Sequence, residues 1–86
     1  MTKRQQQYLT EAIGPQVVGG RYYCGYWRNE YVVDRIWTTR DNPLGWSDWA
    51  IEVHDVTEIN TGNPTVGSPR IHCTAWEPKQ DRVLSI

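Results

Sequence analysis

Apolar and polar positions alternate along most of this chain, most clearly between Arg21 and Trp37, which reads Arg-Tyr-Tyr-Cys-Gly-Tyr-Trp-Arg-Asn-Glu-Tyr-Val-Val-Asp-Arg-Ile-Trp. Tyr, Trp, Val and Ile fit a pleated, half-buried surface, and here only Arg28-Asn29-Glu30 interrupts them. The pattern predicts a β-hairpin, with strands over about 21–27 and 31–38 and a polar tip at 28–30. In the first strand Tyr22, Cys24 and Tyr26 share one face, and Tyr23, Gly25 and Trp27 the other. A glycine at position 25 inside such a run marks a bulge, a bend or a close backbone approach. In the second strand Val32, Asp34 and Ile36 alternate with Tyr31, Val33, Arg35 and Trp37. A polar residue on each face leaves the inner one open. The reading favours Tyr31, Val33 and Trp37 packing on one aromatic row of the first strand.

Weaker patterns follow. Residues 49–56 alternate again, with Trp49, Ile51 and Val53 inward and Glu52 and His54 outward. A fourth strand over 70–76 places Ile71, Cys73 and Ala75 inward, and Arg70, His72 and Thr74 outward. Glu77 to Asp81 forms a turn and 82–86 a short closing strand. The connections 39–48 and 57–69 are rich in Asn, Asp, Gly, Pro and Thr, as turns require. Trp46 sits inside the first of them. Ahead of the hairpin, Tyr8, Leu9, Ala12 and Ile13 make a thin stripe at helical spacing, ended by Gly14-Pro15. Residues 1–15 are therefore a polar tail or short helix, and 16–86 a single domain.

Composition sharpens this picture in two ways. With 86 residues and no Phe, the core has to be built from five Trp and five Tyr together with Val, Ile and Leu. Each such ring can bury about 150–250 Å², but its N–H or O–H needs a partner. A net charge of −1 argues against a protein that coats DNA or membranes, without excluding a local patch. The polar start Met-Thr-Lys-Arg-Gln-Gln-Gln is not a secretory signal, and no apolar run approaches the roughly 20 residues of a membrane span. A soluble, cytoplasmic protein is expected, with Cys24 and Cys73 reduced.

Five or six short strands, a long hairpin first and a very short strand last, suggest a small all-β antiparallel barrel, since closure removes unpaired edges. Gly20-Arg21-Tyr22-Tyr23, Tyr26-Trp27-Arg28-Asn29-Glu30-Tyr31-Val32-Val33 and a final strand after a tight turn resemble an SH3-like barrel over residues 20–86. The segment His72-Cys73-Thr74-Ala75-Trp76-Glu77-Pro78-Lys79-Gln80-Asp81-Arg82-Val83 is similar to the C-terminal part of short proteins of actinobacterial phages and mobile elements. Those families carry no activity to transfer.

Chemistry-bearing residues are few. Cys24, His54, His72 and Cys73 are metal-ligand types, but no Cys-x-x-Cys pair occurs. His72 and Cys73 are adjacent in a strand and so point apart. The expectation is no metal, with both cysteines in the core and both histidines on the outer face. Neither thiol has a base placed to activate it. Asp48, Glu52, Asp55 and Glu58 read as a charged outer face. Val18-Gly19-Gly20-Arg21 lacks the Lys-Ser/Thr ending of a phosphate loop. No cofactor and no catalysis are expected.

Binding remains. An SH3-like likeness implies a shallow aromatic groove between loops, for which Trp46, Trp76, Trp27 and Tyr23 are the candidate anchors of a protein partner. Self-association through a strand edge is a further mode. The alternative is nucleic acid, with Arg21, Arg28, Arg35 and Arg40 interleaved among rings on which bases would stack. The sequence thus points to a non-catalytic protein-interaction module, an accessory protein of a phage or mobile element, with a nucleic-acid-binding barrel as the competing reading.

Overall fold

The computed structural model of the chain describes residues 11–37, 49–72 and 74–86. Five strands follow one another: β1 (Arg21–Cys24), β2 (Asn29–Trp37), β3 (Ala50–Asp55), β4 (Arg70–His72) and β5 (Arg82–Ser85). They form a single antiparallel sheet in the order β4-β3-β2-β1-β5, so the last strand returns beside the first and the sheet ends at β4 and β5. The all-β antiparallel class expected from the alternation is the one observed. Residues 11–13 are helical and Gly14-Pro15 turns the chain out of that helix.

The hairpin is shifted from its expected position. The turn is Gly25–Arg28, and Asn29 and Glu30 already belong to β2, paired with Cys24 and Tyr23. The cause lies at Gly25. Its N–H is held by the Asp81 carboxylate at 2.8 Å, and a Cβ there would come within 2.5–2.8 Å of Gln80. Only glycine lets the backbone approach so closely. Arg28 then closes the turn with φ 55°. The same Asp81 carboxylate accepts from the Glu77 N–H at 2.7 Å, so one buried acid ties the hairpin turn to the 77–81 turn.

One face of the sheet carries the core: Tyr22 and Cys24 from β1, Tyr31 and Val33 from β2, Ile51 and Val53 from β3. Ile13, Trp27, Ile36, Trp49 and Trp76 pack around it. Tyr31 and Val33 face inward as expected, but Trp37 does not join them. The β2–β3 register slips between Val33 and Arg35, an irregularity that exchanges the two faces and brings Ile36 inward. Trp37 instead carries the Arg35 guanidinium over its ring at 4.6 Å.

The faces of β4 are also reversed. Ile51 pairs with His72, which places His72 on the core side at 3 % exposure, while Ile71 is only partly buried. The imidazole lies against the Tyr31 ring at 4.6 Å and 31°. β4 covers three residues, not seven, and Cys73 lies outside the described residues. Of the expected inward thiols, Cys24 is buried and free.

The buried rings find their polar partners in the segment preceding β1. The Tyr31 hydroxyl donates to Gln16 Oε1 at 2.5 Å, and Gln16 Nε2 donates to the Ile13 carbonyl at 3.0 Å. The Tyr22 hydroxyl accepts from the Val17 N–H at 2.7 Å and donates to the Pro15 carbonyl at 3.3 Å. Gly19 and Gly20 exchange backbone bonds with Val33, extending the hairpin ladder. An aromatic core with polar tips thus requires this strap.

Candidate functional site

Two places concentrate chemistry-bearing side chains: the inner side of β4 and the outer face beside β5.

At β4, Arg70 grips Asp55 with two bonds, Nε to Oδ2 and Nη2 to Oδ1, both 2.8 Å. Asn29 Nδ2 donates to the same Asp55 Oδ1 at 2.6 Å. The Arg70 hydrogen bond, ahead of its charge and the Asn29 bond, holds the Asp55 carboxyl below the usual carboxylate range against the opposing effect of burial. Thr57 accepts from the Glu30 N–H at 2.7 Å and anchors the start of the 57–69 loop, which folds back through a Thr57–Pro64 bridge. Deeper, His72 Nε2 lies 3.0 Å from the Thr74 hydroxyl, which in turn lies 3.9 Å from Cys24 Sγ. Nδ1 is buried and meets no hydrogen-bond partner among the described residues. We therefore assign the ring proton to Nε2, where it can be donated to Thr74. Burial, reinforced by the Arg70 charge, pushes the His72 pKa down to about 4, with Asp55 opposing. A neutral, stacked imidazole and a buried thiol joined through a hydroxyl make a structural chain. Tyr31 is part of it, its hydroxyl driven well above its ordinary pKa by burial. No group of three or more His, Cys, Asp or Glu among the described residues is placed to hold a metal.

The outer face is different. Strand alternation directs Arg21 and Tyr23 of β1 and Glu30 of β2 away from the core. Arg21 donates to Glu30 Oε1 through Nε and Nη2, at 3.2 and 3.0 Å. Beside this pair Tyr23, Glu30, Arg82 and Leu84 line an open depression of about 350 Å³. Every residue of β5 is exposed, Val83 and Leu84 at 43 % and 44 %. Further along the same face, Asp34 and His54 form an ion pair at 2.9 Å and Arg35 covers Trp37.

Of the sequence-derived anchors that are described, Trp27 and Trp76 lie on the core side of the sheet and Tyr23 on the other. Trp27 and Trp76 are both partly buried against the core. Trp27 receives the edge of Tyr26 at 4.8 Å, and its carbonyl accepts from the Asn60 N–H at 2.8 Å. Its indole N–H is buried without a partner among the described residues. Trp76 meets Tyr22 edge-on at 5.8 Å and is held against Gly14, where a Cβ would come within 2.6 Å of the indole. Tyr23 faces the opposite side of the sheet. Trp46 and Arg40 lie outside the described residues. Of the remaining arginines, Arg21 is paired with Glu30, Arg28 sits in the hairpin turn and Arg35 stacks on Trp37. The residues that surround Tyr23, namely Glu30, Arg82 and Leu84, were not singled out by the sequence. A closing strand was legible at Arg82 to Ile86, but its place beside β1 was not.

No family model, curated protein or solved structure matches the chain. No helix among the described residues is long and apolar enough to cross a membrane.

Proposed function

We propose that this domain is a non-catalytic protein-interaction module of SH3-like architecture that makes its contact through the β5 end of the sheet. The observation that carries the reading is β5 itself, a terminal strand with all four residues exposed, two of them large and apolar, beside the Tyr23 depression. Apolar side chains next to unpaired backbone are what a partner covers and what an isolated domain avoids. The titratable groups at β4 support the non-catalytic part, because the buried His72 and the partly buried Asp55 are each engaged in holding β4 in place. The return of the last strand beside the first supports the SH3-like arrangement. The likeness of residues 72–83 to phage and mobile-element proteins supports an accessory role in such an element.

A photo-crosslinking side chain at position 84, compared with one at the fully exposed Val66, tests this in the cells that make the protein. Discrete protein adducts at 84 and not at 66 are expected. Adducts to nucleic acid, or equal labelling at both positions, would overturn the reading.

The nucleic-acid reading draws on the Arg35–Trp37 stack, a pairing on which a base could add. Its test is a short single-stranded oligonucleotide titrated at low and at high salt. Binding that weakens steeply with salt and is lost in Trp37→Ala would put this reading first.

A further inference from the structure

We infer that the β5 edge is a strand-addition site, and that its occupant is an extended segment of a partner protein carrying an acidic residue two positions from an apolar one. The inference rests on the interaction-module reading and specifies its ligand.

Three features of the edge lead there. The first is the backbone. Among the described residues β5 has only β1 beside it, so along its other side the strand presents N–H and C=O groups to a sixth strand. The second is spacing. Arg82 and Leu84 are two residues apart and line one depression with Tyr23. A strand laid along β5 would present its own residues i and i+2 to the same side, about 6.6 Å apart, one opposite Arg82 and one opposite Leu84. The third is charge. Glu30, the one carboxylate in the depression, is held by Arg21, whereas Arg82 has no carboxylate partner among the described residues. Counted over the described residues, the depression with its Arg21 rim therefore carries one uncompensated positive charge. A carboxylate on the incoming strand would meet Arg82, and an apolar side chain would fill the space between Tyr23 and Leu84. Specificity would come from those two side chains and affinity from the backbone ladder.

The opposite end of the sheet is no competitor. β4 is three residues long, its arginine is engaged with Asp55 and its histidine is buried.

The test is a random twelve-residue peptide library displayed on phage and selected on the immobilised full chain. A synthetic peptide of the enriched consensus is then titrated by fluorescence anisotropy. The expected consensus places Asp or Glu two residues from Leu, Ile, Val or an aromatic. Arg82→Glu should weaken that peptide at least tenfold and Arg82→Gln should weaken it less, while Lys79→Glu in the nearby turn leaves it unchanged. A peptide with Lys replacing the acid should prefer the Arg82→Glu protein. Amide exchange at Val83–Ser85 should slow on binding. Selection of no consensus, or of one without an acid, would overturn the proposal, as would a peptide indifferent to Arg82→Glu. Concentration-dependent dimerisation abolished by Leu84→Asp would assign the edge to a second copy of the chain and overturn it as well. Both arginine variants alter an exposed side chain, and thermal melts confirm that they fold. Protein crosslinks at position 84 together with an acid-free consensus would remove this inference and leave the interaction module standing; absence of such crosslinks removes both.

Discussion

The two ends of the sheet are opposites. At β4 the strand is short and its side chains are spent on the interior: Arg70 on Asp55, His72 on Tyr31 and Thr74. At β5 no side chain is buried, and Val83 and Leu84 face solvent. Both are edges of the same sheet, and among the described residues neither has a further strand beside it. An edge can be blunted by keeping it short and closing it with charged pairs and a covering loop, and β4 has the first two. An edge left longer, apolar and open costs solubility unless something uses it. The contrast separates a stabilising end of the molecule from a binding end, and it makes the two ends respond differently to substitution.

The comparison breaks if damage at the two ends costs the same stability. Arg70→Ala would leave Asp55 partly buried with Asn29 as its remaining side-chain partner, and for a pair of intermediate exposure the loss is about 1–3 kcal/mol, between that of an exposed and that of a buried pair. Urea titration should show this as a lower midpoint with unchanged slope. An effect under about 1 kcal/mol would remove β4 from the stabilising role.

Acid should act at the same end. His72 has a lowered pKa in the folded chain, about 4 against 6.5 when exposed. The unfolded chain therefore takes up this proton first. The stability contributed by the neutral ring is full above pH 6.5 and is lost as the pH falls towards 4, by up to about 3 kcal/mol. Asp55, whose pKa is also lowered, adds a second loss at more acid pH, below the ordinary carboxylate value of 3.8. Melting temperatures followed from pH 7.5 to 4 should fall, and His72→Gln should flatten that slope. A wild-type curve with no slope between 6.5 and 4 would mean that the ring is not buried neutral.

A smaller effect sharpens the account of the core. Tyr31→Phe keeps the stack on His72 but leaves Gln16 Oε1 without its donor, a loss of about 1–2 kcal/mol. If Tyr31→Phe proves neutral, the strap of residues 11–20 does not depend on that bond. The smallest change is expected at β5. Leu84→Asp should alter stability by no more than about 0.5 kcal/mol, since the side chain is exposed in the isolated domain. Its effect should be on partner binding alone, and a large loss of stability there would mean that the β5 end belongs to the core.

Legibility followed the range of the interactions. The class, the hairpin, β3 and the turn at 77–81 were readable because alternation and turn residues act between near neighbours. Gly25 was readable as a bulge, a bend or a close approach, and the structure decides for the last and supplies what approaches it, the Gln80 and Asp81 region. His72 was misplaced because alternation says which residues share a face, and only pairing with Ile51 says which face is inward. Trp37 was misplaced because the irregularity between Val33 and Arg35 depends on the fit of β2 to β3. The candidate site fared worst. Tyr23 was named for its ring, but Arg82, Leu84 and Glu30 became its neighbours only when β5 crossed back to β1.

By itself the sequence determined that this chain makes short antiparallel strands with an aromatic core. Strings of Tyr, Trp, Val and Ile separated by Gly, Pro and Asn leave few other ways to bury apolar surface. The tertiary structure alone decided the order of the strands, the inner side of β4 and which edge stays open. Those depend on contacts between residues as far apart as Tyr23 and Arg82 or Ile51 and His72, whose energies appear only when the whole sheet is assembled.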